Sequence, residues 1–226
     1  MQKSPLSSIN SSELTVAGGV LLVDKPAGIT SHDVVARSRR AFGAKAGHAG
    51  TLDPFATGLL IVLLGRPATR EQRLFMEQRK TYRVTALFGA VSTTGDRDGE
   101  ITETGVVEAG EFELPTGELR QRPPAYSAIK VGGERAYKRA RRGEVFEMPE
   151  RIVTVHRFEQ IAREGDEAEF EIECSSGTYV RSLIADLGDA FCTELRRTRI
   201  GPFSVEECDE QTPIALATML DRLDRS

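Results

Sequence analysis

Residues 46–65 read AGHAGTLDPFATGLLIVLLG, from Ala46 to Gly65. Gly47 and Gly50 crowd the front of this stretch, Asp53 and Pro54 mark its middle, and GLLIVLLG is an apolar run bracketed by Gly58 and Gly65. Such a run, with Ile61 and Val62 inside it, reads as a buried strand or as a helix end running into one. Asp53 is the odd member. Asp-Pro ahead of Phe-Ala-Thr-Gly makes a good helix N-cap with Pro54 at the first helical position, which accounts for the aspartate and the proline. It leaves Gly47, His48 and Gly50 unexplained. The sharper reading is a turn that presents a reactive carboxylate to a large planar substrate. Glycines let a ligand come close to the backbone, and a proline stiffens the chain behind the nucleophile.

Upstream, GGVLLVDKP predicts a short buried strand ended by Asp24-Lys25-Pro26. In ITSHDVVARSRRAFG, Thr30 and Asp33 form a start like a capping box, Val34, Val35, Ser38, Ala41 and Phe42 follow helical spacing, and Gly43 suits the C-terminal cap. Downstream, KTYRVTALFG alternates so that Tyr82, Val84, Ala86 and Phe88 share one face. VSTTGDRDGEI predicts a hairpin turn; its GDRDGE lacks the third ligand position and the distant glutamate of a calcium loop. RIVTVHRFE and EAEFEIEC alternate as two further strands joined by REGDE. GTYVRSLIADLGDAF reads as a loop entering a helix with Val180, Leu183, Ile184 and Leu187 on one stripe, and TPIALATMLDRLDRS as a short C-terminal helix. The order of elements predicts an α+β protein with a mixed, mostly antiparallel central sheet flanked by helices and loops. Residues 1–17 are polar and serine-rich and read as a flexible tail ahead of one domain over 18–226.

Composition narrows the function. The chain has 226 residues, 39% hydrophobic and 28% charged, as expected of a globular protein. No apolar run reaches the roughly 20 residues of a membrane span, and no secretory leader is evident. Three scattered cysteines, Cys174, Cys192 and Cys208, argue for a reducing, cytoplasmic setting rather than a disulfide framework. His32, His48 and His156 are too dispersed to suggest a zinc site, so no metal is expected. The net charge of −4 hides an island: Arg120–Arg157 carries ten Lys and Arg against four Glu, +6 in all, leaving the remainder at −10. A phosphate backbone responds to local charge of this kind, although the segment GERAYKRARRGE also reads as a solvated amphipathic helix.

GHAGTLDPFATGLLIVLLGRPATR resembles the nucleophile motif of the TruB family of tRNA pseudouridine synthases, GHxGxLDPxAxGxLxxxxGxATK. DKPAGITSHDVV, KTYRVTALFGAVSTTGDRDG, RPPAYSAIKVGGERAYKRARRGE, GTYVRSLIADLG and LRRTRIGPF follow in the family's order and span most of Gly19–Phe203. The resemblance implies a pseudouridine synthase fold with a basic, thumb-like insertion at about 120–151 that closes on the T stem-loop of tRNA. It implies isomerisation of uridine 55, without a cofactor, by a monomer. The base is detached from its ribose, rotated and rejoined through carbon.

By the same resemblance Asp53 is the nucleophile, and Arg181 the guanidinium that keeps it ionised and oriented against the effect of burial. Read without the family, Arg181 is an ordinary surface arginine. Tyr82, otherwise a core aromatic, packs on the target base and takes part in proton transfer; such stacking contributes roughly 1–3 kcal/mol, comparable with the cost of everting a nucleotide. His48, otherwise a turn residue, fills the space the flipped nucleotide vacates. Lys25 has a supporting electrostatic role, and Ile200 lines the pocket. Gly50, Thr51, Tyr126, Lys130 and Tyr179 are implied substrate contacts, and Arg196 and Arg197, with Arg199, a phosphate-facing cluster.

The chain departs from the family in two places. The link between LG and LRR in LGDAFCTELRRTR is short, which is expected to shift the strand leading to Ile200. About two dozen residues follow RIGPF, too few for the family's C-terminal PUA-type RNA-binding domain. A tRNA-binding folding factor that retains the site is the alternative activity, and an enzyme acting on a small metabolite the plainer one.

Overall fold

The computed structural model describes residues 17–107 and 110–225; the expected N-terminal tail lies almost wholly outside them. The strands are β1 (Gly19–Lys25), β2 (Ala46–His48), β3 (Thr57–Leu64), β4 (Lys80–Phe88), β5 (Ala90–Ser92), β6 (Ile101–Glu103), β7 (Gly117–Gln121), β8 (Lys130–Val131), β9 (Glu134–Arg135), β10 (Arg151–Glu164), β11 (Glu167–Cys174), β12 (Ala190–Ile200), β13 (Phe203–Ser204) and β14 (Asp209–Ala215). The helices are α1 (Ser31–Phe42), α2 (Gly65–Arg70), α3 (Gln72–Met76), α4 (Ala136–Arg141), α5 (Val180–Ala185) and α6 (Leu216–Asp224). Two compact units result. The first takes in the chain up to Thr81 and from Arg196 onward, and the second is Tyr82–Leu195.

In the first unit the strand order is β14-β1-β3-β12. β3 is apolar and buried from Gly58 to Leu64, as expected of a strand covered on both faces. β1 runs antiparallel along its whole length, from Gly19 opposite Leu64 to Lys25 opposite Gly58. Its other edge is shared: β2 pairs antiparallel with Val62–Leu64, and β12 pairs parallel at Thr57 and Gly58. The sheet is therefore mixed, as the sequence predicts. Val20, Leu22, Leu59, Ile61, Leu63, Phe75, Ile200, Phe203 and Met219 form the core. α1 starts at the predicted cap, with Thr30 and Asp33 exchanging hydrogen bonds, and stops at Gly43 in the left-handed region (φ 61°).

In the second unit the order is β12-β4-β11-β10-β7, with β5–β6 and β8–β9 as separate hairpins. The β10–β11 and β5–β6 pairings are those read from the sequence. Phe88, Phe112, Phe158 and Phe170 cluster at its core, ring centroids 4.5 to 5.7 Å apart along the chain of contacts.

Four local expectations change. No helix follows Asp53-Pro54; residues 51–56 form a turn leading into β3, because β-branched Ile61 and Val62 favour extended pairing in a run too short for a helix. Leu187 lies in the turn after α5 rather than on its stripe. Thr212–Ala215 extends β14 before α6 begins at Leu216. The helix in GERAYKRARRGE is only α4; Glu134 and Arg135 pair back to Lys130 and Val131 around Gly132-Gly133. No described helix is long and apolar enough to cross a membrane.

Candidate active site

Asp53 is half-buried in the turn between β2 and β3, and the residues on both sides of it are tied down from elsewhere in the first unit. Ser31, the first residue of α1, accepts from the Leu52 N–H at 2.9 Å and donates to the Leu52 carbonyl at 3.1 Å through the same hydroxyl. The Pro54 carbonyl accepts from the Gly28 N–H at 2.9 Å and from Lys25 Nζ at 3.2 Å. The turn closes with the Ala56 N–H on the Asp53 carbonyl at 3.1 Å. Helix start, strand end and proline turn thus converge on one carboxylate.

Lys25 is fully buried, and its ammonium also donates to the carbonyls of Pro26 and Ile29 at 2.9 and 2.8 Å. Burial pushes it from an ordinary 10.5 to about 8, with the Asp53 carboxylate holding it up and Arg197 pushing it further down. The three protons of this ammonium all go to carbonyls, and its charge couples to the Asp53 carboxylate.

Arg197 is only 1% exposed. Its Nε donates to the Leu59 carbonyl at 2.8 Å and its Nη2 to the Gly50 carbonyl at 3.1 Å, so it braces the loop from inside. This differs from the phosphate-facing place the sequence suggests for it, because β12 runs parallel against Gly58 and turns the side chain inward. Gly58 makes this approach possible: at φ 100° a Cβ there would sit 2.3 Å from the Arg197 carbonyl oxygen. Arg196 remains half-exposed and forks onto Asp24 at 2.9 and 2.6 Å. Ile200 is wholly buried in the core, Thr51 is exposed, and Gly50 takes φ 101°.

His48, at the end of β2, meets His32 edge to face at 5.5 Å, and its Nδ1 is buried with no hydrogen-bond partner among the described residues. Burial lowers it from 6.5 to about 4, helped by the charges of His32 and Arg197, so the ring is neutral at neutral pH.

The second unit holds the other expected residues. Tyr82 faces inward on β4, 9% exposed. Arg181, on α5, is buried rather than at the surface. It pairs with Asp96 at 3.2 Å, donates to the Tyr126 carbonyl at 3.0 Å, and also donates to the Thr94 carbonyl. Asp96 is itself buried, shaped by Thr94 Oγ1 at 2.7 Å and the Asp98 N–H at 3.0 Å. The sequence predicts a hairpin turn here; the turn is present, and its aspartate is a partner for the arginine. Tyr179 is held by Gln121, whose amide bonds both its N–H (2.8 Å) and its carbonyl (3.0 Å), while Arg151 lies 5.3 Å over its ring. Tyr126 is half-buried and Lys130 exposed on β8. Ser31, Asp96 and Gln121 carry no signal in isolation, since each acts on a residue distant in sequence.

In the basic segment 120–151 the four glutamates pair with three of its nine Lys and Arg, so a net positive charge remains. Arg142 forks onto Glu134 at 2.8 and 2.7 Å and also reaches Glu144. Arg139 pairs with Glu144 at 2.8 Å, and Arg122 with Glu150 and Glu147 at 3.1 and 3.8 Å. Among the described residues no group of three His, Cys, Asp or Glu side chains is placed to hold a metal ion.

Residues 39–180 match the model for the N-terminal domain of TruB family pseudouridylate synthases. The chain is 47% identical over 209 residues to a protein of Rhodococcus jostii (strain RHA1) named tRNA pseudouridine synthase B, covering 84% of this chain and 68% of that one. A protein of the same name from Thermobifida fusca (strain YX) is 47% identical over 214 residues, covering 85% and 72%. Among solved structures, a chain of a Cbf5-Nop10-Gar1 complex superposes with a TM-score of 0.63 at 30% identity, covering 90% of this chain and 56% of that one. A chain from an H/ACA RNP bound to a substrate RNA containing 2'-deoxyuridine gives 0.60 at 28% identity, covering 90% and 55%. The chain therefore spans little more than half of those two neighbours, with the same fold. With the family model covering more than half of its length, this protein belongs to the TruB family of pseudouridylate synthases.

Proposed function

We propose that the protein isomerises a uridine of tRNA to pseudouridine, at position 55 in the T loop, with Asp53 as the nucleophile. The observation that carries this reading is the anchoring of Asp53. Both of its neighbours are hydrogen-bonded through the backbone, and a buried ammonium stands by its carboxylate. Fixed placement of a reacting group supplies much of the rate gain in reactions that need no cofactor. The target base leaves the RNA stack and meets Asp53. The bond from C1′ to N1 breaks, one from C1′ to C5 forms, and the proton lost at C5 is balanced by one gained at N1. Tyr82 stacks on the everted base, Arg181 holds the carboxylate in its ionised form, and neutral His48 fills the gap left in the RNA loop. The relatives' shared name supports tRNA as the substrate class.

The test is incubation with unmodified tRNA transcript followed by mapping of pseudouridine by position. Wild type is expected to modify uridine 55 alone. Asp53→Asn should abolish turnover while leaving tRNA binding largely intact. Turnover by Asp53→Asn at the wild-type rate would overturn the assignment, and loss of binding along with turnover would point to a folding defect that circular dichroism detects.

A further inference from the structure

Arg181 reaches its partners from α5, a helix of six residues. Tyr179, which caps that helix, makes no side-chain hydrogen bond to its first turn. What fixes the start of α5 comes from a strand instead. Gln121, the last residue of β7, is 2% exposed. Its amide accepts from the Tyr179 N–H at 2.8 Å and donates to the Tyr179 carbonyl at 3.0 Å. Only one orientation of a carboxamide meets both groups, so the two bonds also fix which way the amide points. The same Tyr179 carbonyl accepts from the N–H groups of Ser182 and Leu183 at 3.1 and 3.2 Å, so Gln121 holds the residue on which the helix is started.

Gln121 also opens the stretch QRPPAY, which ends at Tyr126. Pro123 and Pro124 fix their own φ and restrict the residues ahead of them, so the stretch acts as a stiff strap. It meets α5 along its length. The Ser182 hydroxyl donates to the Arg122 carbonyl at 3.1 Å, and Arg181 Nη2 donates to the Tyr126 carbonyl at 3.0 Å. The helix that carries Arg181 and one of the carbonyls that receives it are thus both set from Gln121. Arg181 is 3% exposed, and water cannot stand in for an acceptor that moves away from a guanidinium buried so deeply.

We propose that Gln121 is a positioning residue for the reaction: by holding both backbone groups of Tyr179 it sets the direction of the Arg181 guanidinium. The inference rests on reading the chain as a tRNA uridine isomerase in which Arg181 keeps the reacting carboxylate ionised. Gln121 acts through Tyr179 and Arg181 and not on the nucleotide. Loss of its amide frees the first turn of α5 from β7, and a misplacement of about 1 Å in a group that orients the reaction is enough to cost rate.

The experiment compares Gln121→Ala and Gln121→Glu with wild type in the full chain. The rate kcat is measured at saturating unmodified tRNA transcript. The guanidinium is followed without RNA by nitrogen–proton NMR, its resonances identified by their absence from Arg181→Lys. At a pH of about 8 both variants are expected to lose about tenfold or more in kcat, with the Arg181 resonances shifted. Gln121→Glu carries a second readout. Its carboxylate accepts from the Tyr179 N–H but has no proton for the Tyr179 carbonyl; once protonated it donates there as the amide does. Burial raises the pKa of a carboxyl, so kcat relative to wild type should recover to within about threefold as pH falls to about 5.5. Gln121→Ala should show no such recovery. A merely structural role would move melting temperature and leave both the resonances and the relative pH profile alone. Gln121→Ala at the wild-type kcat, a fall in kcat with the Arg181 resonances unmoved, or a Gln121→Glu deficit equal at both pH values overturns the proposal. If Gln121→Ala fails to fold, Gln121→Glu, close to glutamine in shape, decides it alone. If wild type forms no pseudouridine while the Arg181 resonances still shift in the variants, Gln121 positions the arginine and the isomerase reading falls. If wild type isomerises and the resonances stay in place, that reading stands and this proposal falls.

Discussion

Between His48 and Thr57 the chain is held by buried side chains acting on backbone groups: Ser31 on Leu52, Lys25 on Pro54 and Arg197 on Gly50. Between Gln121 and Arg151 it is held chiefly at its surface, where Arg122, Arg139 and Arg142 reach Glu134, Glu144, Glu147 and Glu150. Bonds of the first kind lie away from water, resist salt and are costly to break, since each leaves a buried polar group without a partner. Exposed ion pairs contribute little and weaken as salt rises. One region is built to keep a carboxylate in a single place. The other can open and re-form its contacts against a charged partner at little cost.

The widest separation between the two regions should come from glycine substitution. Gly58→Ala forces a Cβ to 2.3 Å from the Arg197 carbonyl and 2.8 Å from its nitrogen, in a backbone region that side chains avoid. Strain and clash together should cost about 3 kcal/mol or more, read as a large fall in melting temperature. Gly143→Ala, with φ 73° but nothing within 4 Å of a new Cβ, carries only the left-handed penalty of about 1–2 kcal/mol. Equal losses from the two would erase the distinction between a braced loop and an open one.

Ser31→Ala comes next. It removes both hydrogen bonds to Leu52 and should cost about 1–3 kcal/mol of stability. More telling, kcat should fall about tenfold while KM stays near wild type, because RNA binding does not depend on where Asp53 points. Ser31→Thr, which keeps the hydroxyl, should recover most of kcat. A fall in stability with kcat intact would make Ser31 purely structural.

These anchors also show where sequence reading stops. α1 was legible because its signals are local: Thr30 and Asp33 cap it and Gly43 ends it within fourteen residues of chain. The β10–β11 hairpin was legible because alternation and a polar turn are likewise local. Ser31 and Leu52 lie 21 residues apart, and Arg197 and Gly50 lie 147 apart; no propensity or spacing connects them. The buried Arg197 looked like part of an exposed cluster because its neighbours Arg196 and Arg199 share its chemistry, and only the parallel pairing of β12 with Gly58 separates them. Asp96 looked like a turn residue and is one, but its burial opposite Arg181 depends on a helix more than eighty residues away. The resemblance to a family supplied what local patterns lack for Asp53, Tyr82 and Arg181. It had nothing to say about which residues hold them still.

Acidity separates the regions in a third way. Lys25 loses its proton near 10.5 in the unfolded chain and at about 8 when folded. Between those values the unfolded state carries the extra proton, so on this account stability rises with pH. Activity should do the reverse, since the ammonium beside Asp53 fades as pH passes about 8. A rate that declines above that point, with no matching drop in melting temperature, is the expected profile. Lys25→Met should lower the plateau and abolish the decline; a decline that persists in Lys25→Met would assign it to another group.

The smallest effect belongs to the surface pairs. Glu134→Gln cuts the fork from Arg142, yet both groups are solvated and Arg142 keeps Glu144. Thermal stability should be indistinguishable from wild type. What should move is RNA affinity at low salt, in the direction of tighter binding. The substitution removes a negative charge from a segment that then offers Arg142 to phosphate instead of to its own glutamate. The gain should vanish as salt is raised, because screening removes the difference between a compensated and an uncompensated arginine. Weaker binding after Glu134→Gln would mean that the ion pair shapes the β8–β9 hairpin for contact with RNA, and the segment would then belong with the Asp53 loop as a fixed element rather than opposite it.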